Sequence, residues 1–345
     1  MYIKKILILI AGIGLIFMGS FSFYIYKVMF MSNTSFDYDS VSLYIKTETS
    51  YEQLLDQIDS YLLNIEDFDV LAKRKKYSVR AGKYQIRKGM SNNEIINSLR
   101  SNNITVNVLF NNIKNLNDLA GKLSNQIEAD SLSFLASFES DFFKLKGFDD
   151  KNILSMYIPN SYNFFWNTNA EKFNERMFEE YTKFWQKNNR VDKANKIGLS
   201  KIEVMILASI VNEESKENVE LPTIAGVYIN RLNNNWKLQA DPTVKFAAYQ
   251  LDKYKNTIIR RVLNKHLRID SPYNTYKNYG LPPGLISMPS IQAIDAVLNF
   301  EKHNYYFFAA NPSNPGFHSF ARTLSEHKKN ARKYQKDLSK RGIKK

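Results

Sequence analysis

The sequence predicts an α+β protein carried on one N-terminal membrane helix. Three observations lead there: an uncharged apolar run near the start, repeated units of strand and capped helix in the first third, and amphipathic helical stretches beyond. The apolar run covers residues 6–26, ILILIAGIGLIFMGSFSFYIY. About 20 such residues match the hydrocarbon thickness of a bilayer at 1.5 Å per residue. Lys4 and Lys5 precede it while Lys27 alone follows closely, so the positive-inside rule places the N-terminus in the cytoplasm and the remainder outside. A cleavable signal peptide is the alternative, but the run exceeds an ordinary h-region and no A-x-A-like site follows it. The remainder is too polar for a second span.

Next come three similar units. Val41, Leu43 and Ile45 alternate with polar neighbours, and Ser50 with Gln53 forms a capping box ahead of Leu54, Leu55 and Ile58. Tyr84 and Ile86 form a second alternating strand, after which Ser91 and Glu94 open a helix carrying Ile95, Ile96 and Leu99. Ile104, Val106, Val108 and Phe110 make a third strand, followed by an Asn115 cap, Leu119 and Leu123. Beyond 110 the pattern turns mostly helical, with amphipathic candidates at 131–144 and 170–187. The aromatic stretch YIPNSYNFFWNT (157–168) suits a loop or strand lining a groove, or equally a core segment. Ser290 caps a helix through Leu298, and 305–310 reads as a buried strand.

Composition removes several classes of chemistry. Lys plus Arg at 48 against Asp plus Glu at 34 gives a net charge of +14, which favours anionic surroundings: lipid headgroups, nucleic acid or acidic wall polymer. With no cysteine there is no thiolate nucleophile, disulfide or Cys-ligated metal. The four histidines have no metal-ligand spacing, so no metal site is expected, and no Gly-rich phosphate loop or other cofactor motif occurs.

The best material for catalysis lies on one helix. Ser200 and Glu203 form a capping box that sets the phase of EVMILASIVNEES. Counting back three, four and seven residues from Glu214 meets Val211, Ile210 and Leu207, so Glu214 lies on the inward face. A carboxyl there is partly desolvated and its pKa rises toward the range of a general acid. Glu213 takes a rim position and is the weaker candidate; a solvated acidic cluster closing a helix is the plain alternative. Two loop stretches, YINRL (228–232) with LQADPT (238–243), and SPYNTY (271–276) with GLPPG (280–284), gather amides, hydroxyls, an Asp and rings able to bind sugars. Turn chemistry explains part of that composition without a ligand.

ILASIVNEES, VYINRL, LQADPTV, SPYNTY, GLPPGLISMPS and GFHSFARTLSEH, in this order and approximate spacing, resemble the YceG-like family of endolytic murein transglycosylases, the MltG type. The resemblance covers most of the chain. It implies an anchor with cytoplasmic N-terminus at 1–27, a linker at 28–40, a LysM-like α+β module at 41–107 containing AGKYQIRKGMSNNEII, a mainly helical α+β catalytic domain at 108–335, and a basic tail at 336–345. The family's catalytic Glu in A-S-I-V-x-x-E falls on Glu214; where many members carry Glu, this chain has Asn212. Glu214 is then the acid that cuts the bond between N-acetylmuramic acid and N-acetylglucosamine with a 1,6-anhydro product. Substrate-binding candidates are Asn230, Gln239, Asp241, Thr243, Tyr273, Asn274 and Tyr276. The implied partners are peptidoglycan strands, penicillin-binding proteins or glycan polymerases, and the plasma (inner) membrane, with the catalytic part periplasmic or extracellular.

Rival readings have less material. S-x-x-K at Ser325 to Lys328 lacks a following K-T-G. The scattered basic residues and an exporting anchor argue against nucleic acid. A non-catalytic, membrane-tethered peptidoglycan-binding scaffold is the rival of a different class.

Overall fold

The computed structural model describes residues 1–255 and 257–340. The last part of the expected tail, 341–345, lies outside the described residues. The chain forms two compact units, one made of 1–108, 124–129 and 162–169, the other of 109–123, 130–161 and the described chain from Ala170 onward.

The first unit opens with α1 (Tyr2–Phe30), long and apolar enough to cross a membrane, with a mean hydropathy of 2.4 in its most apolar window and nothing in that window buried. Strand β1 (Ser40–Ile45), helices α2 (Tyr51–Asp59) and α3 (Ile65–Arg74), strand β2 (Gly82–Arg87) and helix α4 (Asn92–Ser101) follow. The expected caps are in place: Ser50 with Gln53 on α2 and Ser91 with Glu94 on α4 form reciprocal capping boxes. Helix α3 was not among the expected elements; Asn64 caps it by accepting from the Asp67 N–H. β1 and β2 pair antiparallel, Leu43 opposite Tyr84, so their inward residues meet Leu54, Ile58, Phe68, Ile95, Ile96 and Leu99 in one core. The stretch expected as a linker, 28–40, is packed rather than free: Val28 and Phe36 are buried in that core, and residues 32 and 34 form bridges to Ser91 and Leu62. Val28 and Phe36 gain by leaving water, and the N–H groups of Asn33 and Ser35 donate to the Met90 and Tyr61 carbonyls, so the segment is held at both kinds of group.

Strand β3 (Thr105–Phe110) pairs with β4 (Asn160–Phe165), which lies within the aromatic stretch. Part of that stretch is core and part is surface. Tyr157 is wholly buried, while Phe165 is 51% exposed.

The second unit contains α5 (Leu116–Ser124), α6 (Ser131–Phe138), α7 (Asp141–Leu145), α8 (Ala170–Gln186), α9 (Arg190–Lys196), α10 (Lys201–Glu214), α11 (Leu221–Asn233), α12 (Asp241–Tyr249), α13 (Asn264–Leu267), α14 (Ile291–Leu298), the hairpin β5 (Phe307–Ala310) and β6 (His318–Ala321), and α15 (Leu324–Lys340). The candidate at 131–144 is two helices, because Glu139 caps α6 and Ser140 starts afresh. Rings of Phe110, Phe134, Phe138, Phe143, Tyr157 and Phe173 pack edge to face, and the Tyr157 hydroxyl donates to Asn174 at 2.6 Å. Arg190 donates twice to Asp295, at 2.8 and 2.9 Å, joining α9 to α14 through a guanidinium that is itself buried. The strand expected to be buried at 305–310 is only half-buried: β5 pairs with β6 in a two-stranded hairpin and lies against α15.

Helix α10 is the central element. Residues 204–211 are buried on every side, against α9, α11, α12 and α14. It is therefore a core helix rather than an amphipathic one, and its polar end is where the chain meets solvent. Gly226 on α11 allows the close approach of the following segment, since a Cβ there would lie 2.4 Å from the Glu301 carbonyl and 2.6 Å from His303 Nε2. Gly226→Ala is expected to lower stability by about 1–3 kcal/mol through overpacking, read as a reduced midpoint in urea unfolding.

Candidate active site

Glu214 is the last residue of α10. The helix sits in the core, so its final turn delivers this side chain to the edge of that core, half-buried, while Glu213 one residue earlier is exposed and accepts a hydrogen bond from Ser287 Oγ at 3.1 Å. Glu214 Oε1 accepts from the hydroxyl of Tyr228 at 2.5 Å, and Tyr228 on α11 is buried to 1% exposure. Burial pushes the Glu214 carboxyl up to about 7; Asp241 pushes the same way, while the Tyr228 hydrogen bond, Lys245 and Arg231 oppose them. A group balanced there is partly protonated at neutral pH and can both give and take a proton.

Asp241 opens α12, where the helix N-terminus favours a negative charge, and its Oδ1 accepts from the Tyr276 hydroxyl at 2.7 Å. Asp241 is exposed, unlike Glu214. Burial and Asp241 push the Tyr276 hydroxyl well up, so it stays protonated and keeps donating. Two carboxylates thus share one region in different environments, each served by a tyrosine.

The other sequence candidates divide by what they touch. Gln239 is exposed, with φ +51°, and its N–H donates to the Thr275 carbonyl. Thr243 and Thr275 share a hydrogen bond of 2.8 Å, and the Thr275 hydroxyl accepts from Ala240 N–H, so together they fasten the 271–276 loop to the start of α12. Asn274 is wholly buried, donating to Leu267 and Ile269 carbonyls and accepting from Tyr276 N–H, which forms the loop that presents Tyr276. Tyr273 is half-buried and packs on Phe246, with ring centroids 4.7 Å apart. Asn230 donates to the carbonyls of His303 and Tyr305, holding α11 to the approach of β5. Asn212 accepts from Ser290 N–H at 3.1 Å and so links α10 to the start of α14.

Sequence reading did not single out Tyr228, Arg231 or the Glu220–His318 pair. Arg231 is buried and donates to the carbonyls of Tyr306 and Leu238 at 2.7 and 2.5 Å. Glu220 accepts from both the backbone N–H and Nδ1 of His318, whose ring packs on Phe308, and Phe308 in turn meets the ring of Tyr228. Tyr228 and Arg231 occur in a motif the sequence displays, yet nothing in their spacing shows which residue of α11 meets Glu214. Removing the phenol in Tyr228→Phe takes away a donor that favours ionised Glu214. The alkaline limb of the activity profile is therefore expected to move up by about one pH unit, with activity at pH 7 lowered about tenfold by lost positioning. An unmoved limb in the variant's pH profile counts against that role.

Residues 43–333 match the model of the YceG-like family. The chain belongs to that family. This YceG-like chain is 32% identical over 273 residues to the endolytic murein transglycosylase of Bacillus subtilis, covering 74% of this chain and 73% of that one. It is 34% identical over 128 residues to the endolytic murein transglycosylase of Streptococcus pneumoniae, covering 37% of this chain and 23% of the other. Its fold resembles the crystal structure of a yceG-like protein from Listeria monocytogenes, with a TM-score of 0.55 and 24% identity over 84% of this chain and 98% of that one.

Proposed function

We propose that this YceG-like chain is an endolytic murein transglycosylase, a lyase that cleaves peptidoglycan strands, and that Glu214 is its catalytic acid and base. The observation that carries the reading is the Glu214 carboxyl at the end of a core helix, raised to about 7 by burial and held by a buried tyrosine. The names and family of its relatives support the same activity.

The chemistry follows from that one group. Protonated Glu214 gives its proton to the oxygen between N-acetylmuramic acid and N-acetylglucosamine as the muramyl C1–O bond breaks. Glu214, now ionised, takes the proton of the muramyl C6 hydroxyl while that oxygen bonds to C1 and closes the 1,6-anhydro ring. Atoms balance without water, so no second carboxylate has to activate one. Asp241, oriented by the Tyr276 hydroxyl, faces the developing positive charge on the sugar. Gln239 and Tyr273 are the exposed or half-exposed groups placed to meet sugar hydroxyls and rings. Thr243, Asn274 and Asn230 act through the backbone they hold.

The apolar α1 serves as a single-pass anchor with a cytoplasmic N-terminus, and residues 41–107 serve as a LysM-like glycan-holding module. Tethering confines cleavage to nascent strands near the membrane, where penicillin-binding proteins or glycan polymerases make them. The test is mass spectrometry of purified glycan strands after incubation with the detergent-solubilised chain. Anhydromuramyl ends are expected. Reducing ends would mean attack by water and replace this mechanism with a hydrolase; intact strands that remain bound would mean a scaffold.

A further inference from the structure

Helix α1 does not lead into a free hinge. Its last turn is built into the first unit: Val28 is buried, Lys27 pairs with Asp67 of α3 at 3.3 Å, and the Val28 carbonyl accepts from Asn92 Nδ2 at 2.9 Å. The other end of the Asn92 amide accepts from Asn33 Nδ2 at 2.7 Å. Asn33 in turn holds the turn between α2 and α3, its carbonyl accepting from Leu63 N–H at 2.9 Å and its Oδ1 from Asn64 N–H at 2.8 Å. One buried asparagine pair therefore places the 62–64 turn beside the last turn of α1.

That position has a depth. If residues 6–26 fill a hydrocarbon layer about 30 Å thick, Val28 lies about 3 Å beyond its edge, within a headgroup layer of roughly 5–7 Å per leaflet. Leu63, at the tip of the turn, is 69% exposed, and Phe30 and Met31, on the stretch of chain that runs from the last turn of α1 to Asn33, are 55% and 46% exposed. A lone exposed leucine is ordinary on a protein surface. Here the exposed apolar groups continue the lipid-facing surface of the helix, with Tyr24 and Tyr26 at the level where aromatic residues collect in membrane proteins. The Lys27–Asp67 pair neutralises the charge closest to that edge.

We propose that the 62–64 turn, with Phe30 and Met31, seats in the headgroup boundary of the bilayer, so that anchor and first unit form one body whose tilt is set by lipid contact. Leu63 enters the acyl boundary, and the asparagine pair keeps the turn at that height. The inference rests on the reading of α1 as an anchor.

The chain has no cysteine, so single-cysteine variants can be labelled without background. Full-length Leu63→Cys, Phe17→Cys and Ser101→Cys proteins would carry the fluorophore NBD in phosphatidylethanolamine–phosphatidylglycerol vesicles, with and without lipids spin-labelled near the top of the acyl chain. Ser101 lies nine residues along α4 from Asn92, about 14 Å from the asparagine pair, and controls for the dye's own affinity for lipid. Blue-shifted emission at Phe17 and Leu63, loss of the Leu63 signal to the shallow quencher and aqueous emission at Ser101 are expected. A Leu63 label in water while Phe17 reads lipid overturns this proposal and leaves the anchor standing. Water at both positions overturns both readings, and equal quenching at Ser101 overturns the specific contact.

Discussion

Glu214→Gln is expected to leave the fold intact and lower strand cleavage by about 10³-fold or more, because the amide has no proton to give the departing oxygen. Gln keeps the volume and can still accept from the Tyr228 hydroxyl, so circular dichroism should not change. The same substitution has a second, opposite effect on stability. The folded carboxyl titrates near 7 against an ordinary value of 4.5, so the folded state binds the proton more tightly than the unfolded one. Glu214's contribution is therefore most favourable below 4.5 and is lost as the pH rises through 7. Glu214→Gln, which never ionises, should match the parent at pH 4 and be more stable at pH 8, by on the order of 2 kcal/mol. Urea unfolding at the two pH values measures this, and equal stability at pH 8 would mean that the carboxyl is not held in a desolvated site. Loss of activity with gain of stability is the pattern expected of a site built for a reaction rather than for the fold.

Arg231→Met is the counterpart, a large loss of stability from a residue not assigned to the chemistry. Its guanidinium is buried and donates to Tyr306, Leu238 and Lys237 carbonyls, joining the residue just before β5 to the segment leading to Asp241. Methionine fills much of the space but leaves those carbonyls without their donor, so stability should fall by about 3 kcal/mol. The Arg231 charge also lowers the Glu214 pKa. In whatever fraction remains folded, the alkaline limb of activity should therefore move up. A thermal melt and a pH–rate profile read the two effects separately, and a variant with parent stability would show that water replaces the guanidinium easily.

Much of the local structure was legible in the sequence. Ser50, Ser91, Ser200 and Ser290 each cap the helix they were expected to start, and the strands at 40–45, 82–87 and 105–110 fall on the alternating runs. Such signals act over three or four residues, so distant partners do not alter them. The misplaced elements depended on longer range. α3 is not signalled by the sequence although Asn64 caps it, because its core contacts arise only when it folds against α1, α2 and α4. The 28–40 segment reads as a linker because Val28 and Phe36 are isolated in sequence and find their core in space.

The candidate site divides in the same way. Helical phase and motif order by themselves determined that Glu214 is the carboxyl to examine, since capping and a 3.6-residue period place it relative to Val211, Ile210 and Leu207. Residues 204–211 are buried all round, so a single inward face does not distinguish Glu214 from Glu213; the direction of the last turn does. Only the tertiary structure decided that Tyr228 donates to Glu214, that Tyr276 donates to Asp241, and that Thr243, Asn274 and Asn230 turn their polar groups to the backbone. Sequence spacing conveys periodicity within one element, whereas a pKa depends on burial and on charges brought together from α10, α11 and α12, which are set by how those helices pack.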